Sequence, residues 1–408
     1  MTFDNPSLPA DASAEETPAR RSVAFRFLDW ALPSSDVGRL QLVLPTGEVI
    51  DRSGEQPGPE ATISVHRWRA LWRMLRHGEH GFADGYLDGD WSATDLSKLL
   101  EFFMRNEATV AALSEGSRFT RIRNRLLHRR RENTRHGSRR NIAAHYDLGN
   151  AFYGQWLDRG MNYSSALYGG EETLETAQEA KLDRVAHLLE IGGNESILEI
   201  GCGWGSLAER LIRRHGCSVS GITLSTEQLA YAKTRLSREA EDGRADLRLL
   251  DYRDVAGRYD RIASIEMFEA VGEQYWSTYF GKLRDCLREG GIAVLQVITI
   301  ADSRYTAYRE RPDFIQRYIF PGGMLPTASI LEKEATEAGL KLVHQESFGD
   351  SYVRTLREWR DRFLRAWPKI ENLGFDQRFQ RMWEYYLTYC EVGFHVGAID
   401  VRLVKLAR

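Results

Sequence analysis

The sequence predicts an α/β fold: a Rossmann-like, doubly wound and mainly parallel sheet with a helical lid, preceded by a small α+β domain. Three observations predict it. Between residues 196 and 297, short apolar runs alternate with amphipathic helical stretches, the pattern of strands covered by helices on both faces. The first run ends in three alternating glycines, Gly201, Gly203 and Gly205, directly before a helical stretch. Upstream of about residue 115 that strand–helix rhythm is absent, and period-two alternation and turn signals take its place.

Residues 1–20 are rich in Pro, Ala, Asp, Glu and Ser and are predicted to be disordered. Residues 21–115 form the small domain. Within it, residues 38–45 alternate at strand period, Thr46-Gly47 makes a turn, and residues 48–50 continue the hairpin. A helix is predicted over 66–75, a glycine-punctuated aromatic loop over 81–91, and an apolar helix opened by Asp95. Residues 116–140 form a basic linker: from Arg118 to Arg140 there are ten arginines and two histidines against one acid, Glu132. A solvated linker, an anionic lipid surface and nucleic acid all fit such a run. With Phe119 as its only stacking platform and no recognisable motif, the segment argues against nucleic acid and for a lipid surface. Residues 141–408 form the large domain, with strands predicted at 197–200, 219–223, 247–252, 261–265 and 292–297. The aromatic stretches 314–330 and 356–396 are expected to be the helical lid.

The glycine turn carries the chemistry. A dinucleotide site wants G-x-G-x-x-G with its acid well downstream; here the third glycine comes one residue early, and Glu199 stands before the first. An acid at a strand tip suits a cationic ligand, such as the α-amino group of S-adenosylmethionine, whereas the bland reading is an ordinary βα turn with a surface glutamate. Further groups accumulate where a nucleoside would lie. Thr223, Leu224, Ser225 and Gln228 follow the second strand, with Ser225 and Gln228 in capping-box spacing, and Tyr252 and Arg253 follow the third. These features point to a class I methyltransferase fold.

Charge and cysteines bound the setting. The 408-residue chain carries a net charge of −3, and its four cysteines show no C-x-x-C pairing. No apolar run approaches the ~20 residues that cross a bilayer, and the N-terminus lacks a signal-peptide core. The expectation is a cytoplasmic protein, peripheral at the inner face of the membrane. Oligomeric state, a homodimer included, is left open.

The large domain resembles the cyclopropane-fatty-acyl-phospholipid synthases and the related mycolic acid methyltransferases. The matching motifs are His145-Tyr146-Asp147-Leu148-Gly149-Asn150, Tyr163-Ser164, residues 198–204 (Cys202 and Trp204 included), residues 223–228, Glu266-Met267-Phe268-Glu269-Ala270-Val271-Gly272, Phe320-Pro321-Gly322-Gly323 and Cys390. Residues 81–91 also look like the lipid-handling domain of the phospholipid-acting branch. The resemblance implies transfer of a sulfonium methyl to the cis double bond of a phospholipid acyl chain. A carbocation follows, and loss of a proton from the new methyl closes a cyclopropane ring. Loss of a chain proton instead gives a methyl-branched unsaturated chain or a furan fatty acid precursor; ring closure is the favoured outcome. Aromatic faces suited to the cation are Tyr146, Tyr163, Trp204, Phe268, Tyr318 and Phe320.

The resemblance also implies a bicarbonate as base, held by a Glu, a His, a Tyr and backbone groups beside a Cys. Glu269 matches the Glu and Tyr352 the Tyr, but Gln296 stands for the His and Ser165 for the Cys. Gln keeps hydrogen-bonding ability and loses ionisation. Cys390 matches a cysteine of the family, with packing as its plainer role. Two other classes stay open: a lipid-binding protein without turnover, against which the intact glycine turn and Glu269 count, and a methyltransferase for a soluble metabolite, against which the basic linker counts.

Overall fold

The computed structural model describes residues 21–31, 35–107 and 148–408. The N-terminal 1–20, the basic linker and the motif residues His145, Tyr146 and Asp147 lie outside the described residues.

In the small domain, β1 (Val37–Val43) and β2 (Val49–Ser53) form the predicted hairpin, closing at Val43↔Val49. Strand β3 (Gln56–Val65) pairs parallel with β1, and the short β4 (Trp91–Ala93) completes a sheet ordered β2-β1-β3-β4. Asp95 caps the helix Leu96–Arg105 by accepting from the Lys98 N–H, as its position predicts. The predicted loop over 81–91 is instead a helix, Glu79–Leu87. Its glycines lower helix propensity by about 1 kcal/mol each, yet packing needs them. A Cβ at Gly81 would stand 2.0 Å from the Arg73 carbonyl oxygen, and one at Gly85 2.9 Å from the Trp91 ring. Close approach of this helix to Arg69–His77 and to Trp91 outweighs propensity.

The large domain is a seven-stranded sheet ordered β10-β11-β9-β8-β5-β6-β7. Here β5 is Ser196–Ile200, β6 Ser218–Thr223, β7 Ala245–Leu249, β8 Tyr259–Ile265, β9 Leu287–Ile300, β10 Lys341–Ser347 and β11 Ile399–Ala407. Pairings among β5 to β9 are parallel, as expected from the strand–helix alternation. The antiparallel β10 and β11 were not anticipated. The chain winds away in opposite directions on either side of β5 and β8, so the crevice beyond their carboxyl ends is the place for a ligand.

Two long helices, Gly349–Glu371 and Gln377–His395, supply most of the lid. The stretch 314–330 departs from the expected helix: it holds one wide turn, Ile315–Ile319, and the start of helix Ala328–Glu337. The small domain packs on this lid. Tyr86 Oη donates to Glu384 at 3.0 Å and its ring lies 5.7 Å from that of Tyr385, while Arg378 pairs with Asp88 at 2.9 Å. One apolar core therefore runs from Trp91 and Leu99 through Trp359 and Tyr385. Among the described residues no helix is long and apolar enough to cross a membrane.

Candidate active site

A cavity of about 940 Å³ opens at the carboxyl ends of β5, β6 and β8. One end is the glycine turn. Gly201, Gly203 and Gly205 all have left-handed φ, at 83°, 52° and 84°. The Gly201 and Cys202 N–H groups both donate to the Ile222 carbonyl at 2.9 Å, which ties the turn to β6. Gly203 lines the cavity, and a Cβ there would meet nothing within 4 Å, so the turn leaves an open cradle. Gly205 is different: a Cβ would stand 3.2 Å from Ala232 and Leu236, so it serves helix packing behind the cavity wall.

Glu199 is buried beside the turn, and its Oε2 has no hydrogen-bond partner among the described residues. Burial pushes its pKa up to about 8 against the pull of Lys181. An unpartnered buried carboxyl oxygen facing a cavity fits an ammonium group. Thr223 Oγ1 donates to Gln228 Oε1 at 2.9 Å, and Ser225 caps the next helix at the Gln228 N–H, 3.2 Å. Thr223, Leu224, Gln228 and Tyr252 line the cavity together with Tyr163, Ser164, Cys202 and Trp204. Ser225 and Arg253 do not; Arg253 is held in an ion pair with Asp251 at 2.6 Å.

Lys181 was missed by the sequence reading. It is fully buried in helix Leu174–Leu188, where its Nζ donates to Ser164 Oγ at 2.5 Å. Burial lowers its pKa to about 8, with Glu266, Asp158 and Glu199 opposing. Nothing in a helix-period pattern distinguishes a lysine aimed at a cavity from one aimed at water.

The second cluster lies at the tip of β8 and differs from the predicted arrangement. Gln296 and Tyr352 do not converge on Glu269. Both converge on Glu266, a residue of the matching motif to which no role was given. Ser165 N–H donates to Glu266 Oε1 at 2.8 Å, Gln296 Nε2 to the same oxygen at 2.7 Å, and Tyr352 Oη to Oε2 at 2.6 Å. The two N–H groups can only donate and so favour the ionised carboxylate, with the Tyr352 hydroxyl completing the set. Burial raises the Glu266 pKa, with Tyr352, Ser165, Lys181 and Gln296 opposing. Glu269 stands apart: its Oε1 accepts from the Ile298 N–H at 2.6 Å, and its Oε2 has no partner among the described residues. Burial and the adjacent Glu266 push Glu269 up to about 8, whereas at Glu266 the surrounding donors and Lys181 oppose the effect of burial.

A bicarbonate does not fit this arrangement. The donors it would need, Ser165 N–H, Gln296 and Tyr352, are already bonded to Glu266, and an added anion would face that carboxylate at close range. Cys390 lines the same cavity, and burial and the acids Asp313 and Glu266 push its thiol far above the thiolate range, which counts against a nucleophilic thiolate. Of the proposed cation-facing aromatics, Tyr163, Trp204 and Phe320 line the cavity. Phe268 is packed against Trp276 and Tyr279 beneath it, and Tyr318 turns its hydroxyl to Asp84.

Both domains also line the cavity with apolar side chains, Met74, Phe82, Leu100 and Phe103 from the small domain and Ile315 and Tyr389 from the large one, interspersed with the charged Glu79, Glu107, Arg304 and Asp313. A cavity lined by the glycine turn and by apolar side chains of both domains suits a polar cofactor beside a hydrocarbon chain.

Comparison with known proteins agrees with this geometry. The family model described as mycolic acid cyclopropane synthetase matches residues 133–404. The chain is 38% identical over 368 residues to a tuberculostearic acid methyltransferase of Mycobacterium tuberculosis, covering 85% of this chain and 83% of that protein. It is 33% identical over 360 residues to the cyclopropane-fatty-acyl-phospholipid synthase of Escherichia coli, covering 85% and 88%. Among solved structures, a mycolic acid cyclopropane synthase complexed with SAH and CTAB superposes with a TM-score of 0.62 at 27% identity, covering 66% of this chain and 98% of that one.

Proposed function

Because the chain belongs to the mycolic acid cyclopropane synthetase family and is an S-adenosylmethionine-dependent methyltransferase, we propose that it methylates a double-bond carbon in the unsaturated acyl chains of membrane phospholipids. The observation that carries this reading is the single cavity lined by the glycine turn and by apolar side chains of both domains. Glu199 and the Gly203 cradle would hold the amino acid part of the cofactor, and Thr223, Gln228 and Tyr252 its nucleoside. When bound, the cofactor supplies an electrophilic sulfonium methyl. The protein's own task is to align a weak nucleophile with that methyl and exclude water. Tyr163, Trp204 and Phe320 line the cavity and would offer ring faces to the cation that follows.

A methyl-branched unsaturated chain is the product this site supports best. Gln296 and Tyr352 are committed to Glu266, which leaves no cradle for the external anion that ring closure would use. The similarity to a tuberculostearic acid methyltransferase points the same way. Ring closure is the second reading, favoured by the similarity to the Escherichia coli synthase over most of both chains. Both products add one carbon and have the same mass, so proton NMR of lipid from an expressing host decides. A new allylic or vinylic methyl supports the branch; upfield cyclopropane methylene signals would replace it with the ring.

The lipid would enter from a membrane surface. Trp30 and Trp72 are 82% and 67% exposed on the small domain, and the 64% exposed Leu75 also lines the cavity, as expected at a mouth. Arg118 to Arg140 would add attraction to anionic headgroups, screened by salt. The enzyme would thus work as a peripheral protein.

A further inference from the structure

We propose that Glu266 is the internal base of this methyltransferase, its carboxylate standing where an exogenous anion would otherwise accept the proton of the methylated chain. The assignment deepens the alkene-methylation reading above and rests on it.

The geometry is that of a built anion site with a resident occupant. A backbone N–H, an amide and a phenol reach one carboxylate from three separate elements. Ser165 lies in the loop before helix Leu174–Leu188, Gln296 is on β9, and Tyr352 is on the lid helix Gly349–Glu371. Gln296 is wholly buried and gives its Nε2 to Glu266 at 2.7 Å, with a longer bond to the Ser165 carbonyl at 3.4 Å. Glu266 also lines the cavity shared by the glycine turn and the apolar side chains of both domains. Its backbone is left-handed, with φ of 47°, at the tip of β8. A side-chain-bearing residue enters that region at a cost, and such outliers collect where the surrounding structure forces a group into position.

The step balances. The alkene π pair forms the new carbon–carbon bond as the carbon–sulfur pair returns to sulfur, which leaves a cation on the neighbouring chain carbon. Glu266 then takes a proton from a carbon next to that cation. The C–H electron pair becomes a new double bond, and the carboxylic acid later returns its proton to solvent. No co-reactant is needed beyond the methyl donor and the lipid.

The test uses the full chain, S-adenosylmethionine and vesicles of a cis-unsaturated phospholipid, in buffer freed of carbon dioxide. Wild-type turnover should be unchanged by added bicarbonate. Glu266→Gln should lose at least about 100-fold in kcat, the scale of general-base catalysis, with cofactor affinity retained by calorimetry. Glu266→Gly suits the left-handed backbone but leaves three donors unpaired, so circular dichroism and cofactor binding first establish that it is folded. Its activity should be restored by bicarbonate, formate or acetate, more by acetate than by the less basic formate. That dependence on basicity marks a proton acceptor, since a mere filler of the space would not show it. Wild-type activity that requires bicarbonate, a Glu266→Gln enzyme as fast as wild type, or a folded, cofactor-binding Glu266→Gly enzyme that no anion restores would each overturn the assignment alone. Absence of methylated lipid from wild type would overturn the acyl-chain reading, and this assignment with it.

Discussion

Gly203 offers a measurement in which backbone strain and ligand exclusion separate cleanly. Its φ is 52°, and a Cβ built there meets nothing within 4 Å; Gly216, at the end of the helix that follows, has φ of 72° and equally open surroundings. The two differ in what they face, since Gly203 lines the cavity while Gly216 is exposed. Alanine at either site forces an L residue into the left-handed region, at ~1–2 kcal/mol. Both variants should therefore unfold at similar, slightly lower temperatures. Only at Gly203 does the added methyl enter the space the cofactor needs. Overpacking of that kind costs ~1–3 kcal/mol, which at about 1.4 kcal/mol per decade is about a five- to 140-fold loss of affinity. Titration calorimetry with S-adenosylmethionine should show Gly216→Ala binding as wild type and Gly203→Ala weakened within that range, with Gly203→Val below detection. Equal affinities for the two alanine variants would refute the cradle.

Three further outcomes follow from the electrostatics and the surface. Glu199 has a pKa of about 8 in the ligand-free protein, above the ordinary 4.5. Its carboxyl is therefore more protonated folded than unfolded between those values, and stability falls as pH rises from about 4.5 to about 8. A cationic ligand needs the charged form, so cofactor affinity should rise with pH up to about 8 and fall beyond it as the ligand's own α-amino group (pKa ~8) loses its charge, with protons released near pH 7; calorimetry in buffers of differing ionisation enthalpy measures that release, and proton uptake at pH 7 would contradict it. Tyr352→Phe deletes a charge-assisted hydrogen bond of 2.6 Å to Glu266, worth ~1.5–3 kcal/mol, and should lower kcat by roughly ten- to a hundred-fold with cofactor affinity unchanged; a loss confined to KM would argue against it. Trp72→Glu should weaken vesicle binding at least about tenfold, given ~1.5–3 kcal/mol for burying a large apolar side chain, while turnover of detergent-dispersed lipid is spared; sedimentation with vesicles reads the first and a rate assay the second.

What the sequence disclosed, and what it withheld, follows from the range of the interactions involved. The parallel strands and the glycine turn were legible because burial pattern and turn chemistry are local: Ile197, Leu198 and Ile200 are buried in β5, and the three glycines take the left-handed angles the turn requires. Strands β10 and β11 were not. Residues 341–347 are mostly part-exposed at the sheet's edge, and their pairing partners lie far along the chain. The helix Glu79–Leu87 read as a loop because its glycines answer to Arg73 and Trp91 and not to its own helical preference. The same limit hid the second cluster. Glu266 and Glu269 stand three residues apart in one motif, and only the fold tells which of them meets Ser165, Gln296 and Tyr352, drawn from distances of up to 101 positions. Lys181 is hidden for the same reason: its partner Ser164 precedes it on a different element.

The left-handed backbone at Glu266 has a consequence for descent. A position at φ of 47° is most comfortable as glycine, and glycine and glutamate codons can differ by a single nucleotide. An ancestral or laboratory lineage could therefore exchange a borrowed anion for a tethered one in a single mutational step. On the glycine side, catalysis answers to dissolved carbonate, and hence to how the cell is aerated and buffered. On the glutamate side it answers only to the gene. A strained torsion angle would then mark where an enzyme stopped depending on its medium.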